Sequence, residues 1–313
     1  MALGPGTSTL TPTMVDPPRA PLRIATVRQQ FDQRAARLPA HAFVLDDVQR
    51  RMIERLRLVR LAPQRVLDVG CGQGGARLRL AELYPRAQWI GLDLSHAMLR
   101  AAAAPADLLA RIGAAWRRRP VPLRVQADTG QLPIADAQID LLWSSLMLHW
   151  HPTPHALFGE FKRVLRVNGL LMFASFGPDS LREVRAAFAQ GWPQARPMPF
   201  VDMHDFGDMM VAAGFATPVM DVEHLHLTYP SAQALLREVA ALGGNPRTDR
   251  PAALPSGRQA RAVLQALQAQ RAPDGRFGLT LEVAYGHAWK PQPRVAGEAV
   301  VRLDQLRRPR AGA

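Results

Sequence analysis

Val66-Leu67-Asp68-Val69-Gly70-Cys71-Gly72-Gln73-Gly74-Gly75, residues 66–75, is the stretch on which the reading of this chain turns. A short apolar, β-branched run breaks into a glycine-rich turn, and a helical pattern follows. Glycines at such a turn let backbone approach a ligand closely. Gly70, Gly72 and Gly75 satisfy the spacing G-x-G-x-x-G, so a dinucleotide is one reading of the loop. Charge argues against it. Asp68 stands two residues before the first glycine, where a carboxylate would repel a pyrophosphate seated at the helix N-terminus.

S-adenosylmethionine presents an ammonium and a sulfonium instead of phosphates. Asp68 can accept from that ammonium, directly or through water, while the turn at Gly70, Gly72 and Gly74 and the helix N-terminus receive the methionine carboxylate. A second acid, Asp93, ends the predicted strand over residues 88–92 and can accept both ribose hydroxyls. Leu94 and Met98 follow it and can pack against adenine. A third, Asp128, lies just past the predicted strand 123–126, in Ala127-Asp128-Thr129-Gly130, where it can accept from the adenine amino group with Thr129 beside it. Three acids at three successive strand tips make an adenosyl cradle.

Outward from this cradle, strands are predicted over 65–69, 88–92, 123–126, 139–144 and 169–173, with helical spacing between them. That alternation predicts an α/β fold, a doubly wound, mostly parallel sheet with helices on both faces. Upstream, residues 24–61 carry a helical pattern closed by Pro63, and residues 1–23, rich in Gly, Pro, Ser and Thr, read as a flexible leader. After Phe176 the rhythm changes. Ser180 and Glu183 predict a capping box for a helix to about Ala189, and a second helix spans about 204–213, stopped by Gly214. Long strands are predicted over 219–229 and 277–288, with helices over 232–242 and 258–271 between them. The loop 243–257 reads as a mobile flap. The tail after Pro291 is basic.

The chain has 313 residues, 39 Lys and Arg against 26 Asp and Glu, and a formal charge of +13. Only Lys162 and Lys290 are lysines; the rest of the surplus is arginine, which suits an anionic partner. The single cysteine, Cys71, excludes an internal disulfide framework and points to a reducing compartment. No apolar run reaches the roughly 20 residues needed to span a bilayer. A cytoplasmic protein without a membrane partner is expected.

At this point the chain resembles a class I S-adenosylmethionine-dependent methyltransferase, through residues 66–75, Gly91-Leu92-Asp93-Leu94-Ser95, Ala127-Asp128 and Ile139-Asp140-Leu141-Leu142-Trp143-Ser144-Ser145. A narrower resemblance runs over nearly the whole chain, to the malonyl-acyl-carrier-protein O-methyltransferases of biotin synthesis and the related arginine-hydroxylating assembly factors of respiratory complex I. It rests on Phe31-Asp32-Gln33-Arg34-Ala35-Ala36, Leu148-His149-Trp150, Phe176-Gly177-Pro178-Asp179-Ser180-Leu181, Met203-His204-Asp205-Phe206-Gly207-Asp208 and Tyr285-Gly286-His287-Ala288-Trp289-Lys290. The resemblance implies a seven-stranded Rossmann-like sheet with its last strand antiparallel. Residues 24–176 would then form the cofactor-binding core, 177–290 a helical lid plus the strands completing the sheet, and 291–313 a basic tail. It also implies that Arg34 lies near the methionine carboxylate and that Ser145 lines the donor side. Leu38 departs from the tyrosine many relatives carry there, so an aromatic lid from that point is not carried over.

Methyl transfer from a sulfonium depends mainly on alignment and exclusion of water. A carboxylate acceptor is already ionised at pH 7 and needs no base. His149 is the best base in the sequence, and a ring packed on Trp150 is its structural alternative. Both are placed at the acceptor, together with Arg182 and Arg185, whose guanidinium forks suit a carboxylate. Arg117, Arg118 and Arg119 form a rim cluster. His149, His151 and His155 lack a carboxylate at ligand spacing before Glu160, so no metal is expected. The expected acceptor is a malonyl thioester on an acidic acyl-carrier protein or coenzyme A. The rival is an assembly factor that modifies a subunit arginine or chaperones the subunit. Nucleic acid ranks last, for want of an aromatic-interleaved basic patch.

Overall fold

The computed structural model describes residues 21–38, 42–102, 120–251 and 253–293. The leader up to residue 20, the Arg117–Arg119 cluster and the tail from residue 294 lie outside them. Seven strands form one sheet: β1 (Arg65–Val69), β2 (Gln88–Asp93), β3 (Leu123–Gln126), β4 (Ile139–Ser145), β5 (Leu165–Phe176), β6 (Ala216–Tyr229) and β7 (Phe277–Trp289). Their order is β3-β2-β1-β4-β5-β7-β6. β1 to β5 run parallel, and β7 inserts antiparallel between β5 and β6. The chain leaves β1 toward β2 on one side and returns to β4 on the other. That reversal opens a crevice at the C-terminal ends of β1 and β4, where α/β sheets bind ligands.

Successive strand residues point to opposite faces, and the sequence fills both. Val66, Leu141, Trp143, Leu170 and Met172 bury against Val48, Met52 and Leu56 of α2 (Phe43–Leu56). Their neighbours Leu67, Leu142, Leu171 and Phe173 bury against Phe158 and Phe161 of α5 (Pro154–Val164) and Phe206 of α7 (Met203–Ala212). α1 (Ile24–Arg34), α3 (Arg77–Leu83) and α4 (His96–Ala101) complete the cofactor end. A third core joins α6 (Arg182–Gly191), α8 (Ala232–Ala241) and α9 (Gly257–Gln268) to Phe277 and Leu279 of β7. No described helix is long and apolar enough to cross a membrane.

Four expectations need correction. The helical pattern over 24–61 is two helices rather than one continuous run, α1 ending at Arg34 and α2 beginning at Phe43. β5 begins at Leu165, four residues before the predicted start. Asn168 takes φ 60 and the register against β4 shifts there, so a bulge hides the strand behind a turn-like Asn-Gly pair. The capping box does not form. The Ser180 hydroxyl donates to the Glu282 carbonyl at 2.9 Å and accepts from the Glu282 N–H at 3.1 Å, while Glu183 accepts from the Thr280 N–H at 3.0 Å and hydroxyl at 2.6 Å. Both residues satisfy groups on β7, and α6 starts after Leu181 at φ 61 without a side-chain cap. Nor does the loop 243–257 hang free. Asp249 holds Arg196 and Arg247, Asn245 donates to the Arg196 carbonyl, and the Thr248 N–H reaches the Pro21 carbonyl.

The α6–α9 crossing is close-packed at Gly191. A methyl group there would meet the Val263 backbone N at 2.4 Å and Cα at 2.7 Å. Backbone cannot turn aside as a side-chain tip does, so Gly191→Ala should cost about 1–3 kcal/mol. Urea unfolding should show a lowered midpoint at unchanged slope.

Candidate active site

The glycine loop owes its path to three left-handed residues, Gly70, Gly72 and Gly74, with φ of 71°, 53° and 75°. The N–H groups of Gly70 and Cys71 both reach the Leu92 carbonyl of β2, at 2.8 and 3.0 Å. Asp93 then accepts from the Gly72 N–H and the Ser95 N–H, each at 2.8 Å. Ser95 caps α4 by accepting from the Met98 N–H at 3.2 Å, and its hydroxyl donates to Asp32 of α1 at 2.6 Å. One carboxylate therefore fixes the loop to the strand tip, and a second ties that tip to the N-terminal helix. Asp32 was legible only as part of a motif; its tie to α4 joins residues 63 apart in sequence, beyond local pattern.

Against this loop lies a cavity of about 120 Å³. Arg34, Gly70, Gly72, Asp93, Leu94, Met98, Asp128, Thr129 and Ser145 all line it, together with Leu38 and Met147. Gly74 and Asp68 do not. Gly74 turns the loop over the Trp89 ring, 3.7 Å from where its Cβ would lie. Asp68 is buried, and its Oδ2 meets no hydrogen-bond geometry among the described residues. Burial, opposed by the Trp89 indole N–H and reinforced by the nearby Asp93 charge, pushes its carboxyl up to about 7. Burial also raises Asp93, opposed by the two backbone N–H bonds it accepts. Asp128 accepts from the Gly130 N–H at 2.9 Å. The Ser145 hydroxyl is buried without a partner.

A second cavity, of about 360 Å³, adjoins the first, and His149, Trp150, Phe176 and Leu242 line both. Its walls are apolar and aromatic, with Phe188, Trp192 and Phe200 facing it. Among the described residues its only charged lining groups are arginines, Arg185 and Arg250, and no carboxylate lines it. Arg185 donates one Nη to the Pro178 carbonyl. Arg182 does not line either cavity. It is more than half exposed and pairs with its neighbour Glu183 at 3.3 Å, so only one of the two arginines on that helix reaches the chamber. Sequence reasoning missed Arg250 and the aromatic lining. Leu181, Val184 and Phe188 recur at helical spacing, which signals an apolar face without saying that a hollow rather than a core lies under it.

His149 sits in the wall between the cavities, fully sheltered by Trp150, Phe176 and Phe200 with ring centroids at 4.8, 5.0 and 5.6 Å. Burial pushes its pKa down to about 3, so the ring is neutral. Behind Trp150, Gly243 packs so closely that a Cβ would fall 2.0 Å from the indole, and Arg34 donates to the Gly243 carbonyl. Through that bond α1 and the loop after α8 close over the shared wall.

Residues 67–173 match the family described as a methyltransferase domain. The malonyl-acyl-carrier protein O-methyltransferase of Methylovorus sp. (strain MP688) is 43% identical over 275 residues, 87% of this chain and 90% of that protein. The protein of the same name from Laribacter hongkongensis (strain HLHK9) is 46% identical over 268 residues, 86% of this chain and 90% of that one. In fold, the YcgJ protein of Bacillus subtilis is similar with a TM-score of 0.52 at 15% identity, over 79% of this chain and 99% of that one. Haemonchus contortus phosphoethanolamine N-methyltransferase 2, in complex with phosphomonomethylethanolamine and S-adenosylhomocysteine, gives 0.51 at 18% identity, over 85% and 60%. A loop, cradle and chamber of this kind, on a chain that matches such relatives nearly end to end, place it by descent: it belongs to the family of the malonyl-acyl-carrier protein O-methyltransferases.

Proposed function

We propose that the chain is an S-adenosylmethionine-dependent O-methyltransferase that esterifies the free carboxylate of a malonyl thioester, carried on acyl-carrier protein or coenzyme A, for biotin synthesis. The observation that carries this reading is the second cavity, an apolar chamber whose only charged walls among the described residues are arginines and which shares a wall with the cradle. Such a chamber favours an anion and disfavours a cationic amine acceptor.

The cradle fits the donor. Its lining offers a buried hydroxyl at Ser145 with no partner among the described residues and a strand-tip acid at Asp93, and the buried Asp68 carboxyl lies behind it. Asp93 would hold the ribose hydroxyls, Leu94 and Met98 the adenine faces, and Asp128 and Thr129 the adenine edge. The backbone of Gly70 and Gly72, with Arg34, would hold the methionine carboxylate. Because Asp68 does not line the cavity, it would act on the ammonium through water. Bound there, S-adenosylmethionine supplies an electrophilic methyl group on a sulfonium. The acceptor carboxylate would form the new C–O bond with its own lone pair as the methyl–sulfur bond breaks and the sulfur keeps that pair as a neutral thioether; no proton leaves, so the protein needs to orient and dehydrate rather than to remove a proton. Arg185, braced by the Pro178 carbonyl, orients that carboxylate, and Trp150 closes the wall.

Incubation with methyl-labelled donor and malonyl carrier protein should give an ester at the distal carboxylate, seen as a methylene's gain in mass. Transfer to malonyl-coenzyme A alone would shift the acceptor; an oxygen's gain on a protein arginine would replace the reading with the assembly-factor one. Arg185→Ala should raise KM for the malonyl thioester about tenfold, the loss of one charge-assisted bond. Donor affinity should stay unchanged. Arg182→Ala, outside the chamber, should leave both constants at wild-type values.

A further inference from the structure

The wall between the two cavities holds a polar group that no described residue satisfies. His149 lines both chambers and is 4% exposed. Its Nδ1 lies 3.3 Å from the hydroxyl of Ser175, which is fully buried, while its Nε2 is buried without a partner among the described residues. Buried ring nitrogens are normally paired, and leaving one unpaired is costly. The unpaired edge belongs to the residue that separates donor from acceptor.

A neutral imidazole has one N–H and one lone pair, and the partner of one nitrogen fixes the state of the other. The Ser175 hydroxyl has one proton and two acceptors in reach, Nδ1 at 3.3 Å and the Phe176 carbonyl at 3.5 Å. The carbonyl contact is the longer, well beyond the roughly 2.5–3.0 Å of a sound O–H···O bond. We propose that Ser175 donates to Nδ1, so that His149 keeps its proton on Nε2 and donates it to one oxygen of the acceptor carboxylate. The role deepens the malonyl reading above and rests on it. Ser175 is the positioning residue; His149 touches substrate.

The chemistry favours a neutral donor here. A carboxylate nucleophile brings no proton to be removed, so a base in the wall has nothing to do. An ion pair on each oxygen would blunt the charge that attacks the methyl group. A neutral N–H on one oxygen, with Arg185 lining the same chamber, fixes direction and leaves that charge largely intact. The rings of Trp150, Phe176 and Phe200 keep water from competing for the bond.

The test uses the full chain, histidine-labelled with ¹⁵N and saturated with S-adenosylhomocysteine. The ring spectrum should show the His149 proton on Nε2 and a bare, hydrogen-bonded Nδ1; a proton on Nδ1 overturns the proposal, whatever the acceptor proves to be. Kinetics supply the second arm. His149→Ala should raise KM for the malonyl thioester about tenfold with donor affinity unchanged, as expected for one lost bond to a charged group. His149→Gln, whose amide N–H can take the place of Nε2–H, should recover most of that loss, and His149→Asn, which mimics Nδ1, should not. Ser175→Ala should raise KM about threefold and mix the two tautomers in the spectrum. Gln performing no better than Ala, or Ser175→Ala leaving the spectrum unchanged, sinks the assignment. If wild-type protein transfers no methyl group to malonyl carrier at all, the proposed function fails by itself, and the spectrum still decides the tautomer.

Discussion

Asp93→Ala should weaken S-adenosylmethionine binding by a hundredfold or more, to about ten-thousandfold, the largest loss any single side chain of the cradle can cause. The carboxylate holds the Gly72 and Ser95 N–H groups at 2.8 Å each, one on either oxygen. Removing it releases Gly72 from the tip of β2, leaving Gly70 and Cys71 on the Leu92 carbonyl, and frees the Ser95 N–H at the approach to α4 at the same time. It also removes the acceptor for two ribose hydroxyls, each charge-assisted bond being worth about 1.5–3 kcal/mol. Asp93→Asn separates these effects. Its amide keeps the volume but turns an NH₂ toward one of the two backbone donors, so it too should lose affinity, by about tenfold to a hundredfold. Titration calorimetry with S-adenosylmethionine and its demethylated product reads both. An unchanged dissociation constant in the alanine variant would mean that the cradle at the strand tips is not the donor site.

What the sequence reveals of this cradle depends on how local the signal is. The strand ending at Val69 and the three left-handed glycines are written within a few residues of one another, the acid closing β2 stands at the end of its own short apolar run, and strand and turn chemistry makes both readable. The sheet was likewise legible because strands buried on both faces leave unbroken apolar runs, such as Leu170 to Phe173. The acceptor chamber is different. Phe188, Phe200, Leu242 and Arg250 come from four separate segments, and only the folded chain brings them around one hollow. Ser180 and Glu183 show how a local rule loses to a distant one. Their spacing matches a helix cap, yet the buried edge of β7 offers them partners that a solvent-facing helix end cannot match. Arg182 and Arg185 are indistinguishable by spacing. Which one faces the chamber is set by where α6 begins, and Leu181 in the left-handed region moves that start away from the predicted one.

Gly70→Ala tests the other claim on which the cradle rests, that backbone comes close to the ligand because nothing larger than hydrogen fits. Two costs combine there. An alanine at φ 71° meets the left-handed penalty of about 1–2 kcal/mol. Its Cβ would lie 2.4 Å from Cγ and 2.6 Å from Cβ of Met147. The second contact is the serious one, because a Cβ moves only with its backbone, and Met147 follows Leu146, itself held at φ 55°. Both Gly70 and Met147 line the donor cavity, so relief in either direction deforms its wall. Donor affinity should fall about a hundredfold, near 2.7 kcal/mol. Adding Met147→Gly removes the collision but not the backbone strain, and about a tenfold share of the affinity should return. The double-mutant cycle therefore reads packing and conformation apart. Recovery to wild type would assign the whole loss to the methionine, and no recovery would assign it to the turn. Undiminished binding by Gly70→Ala alone would show that the loop does not approach the donor as closely as its glycines indicate.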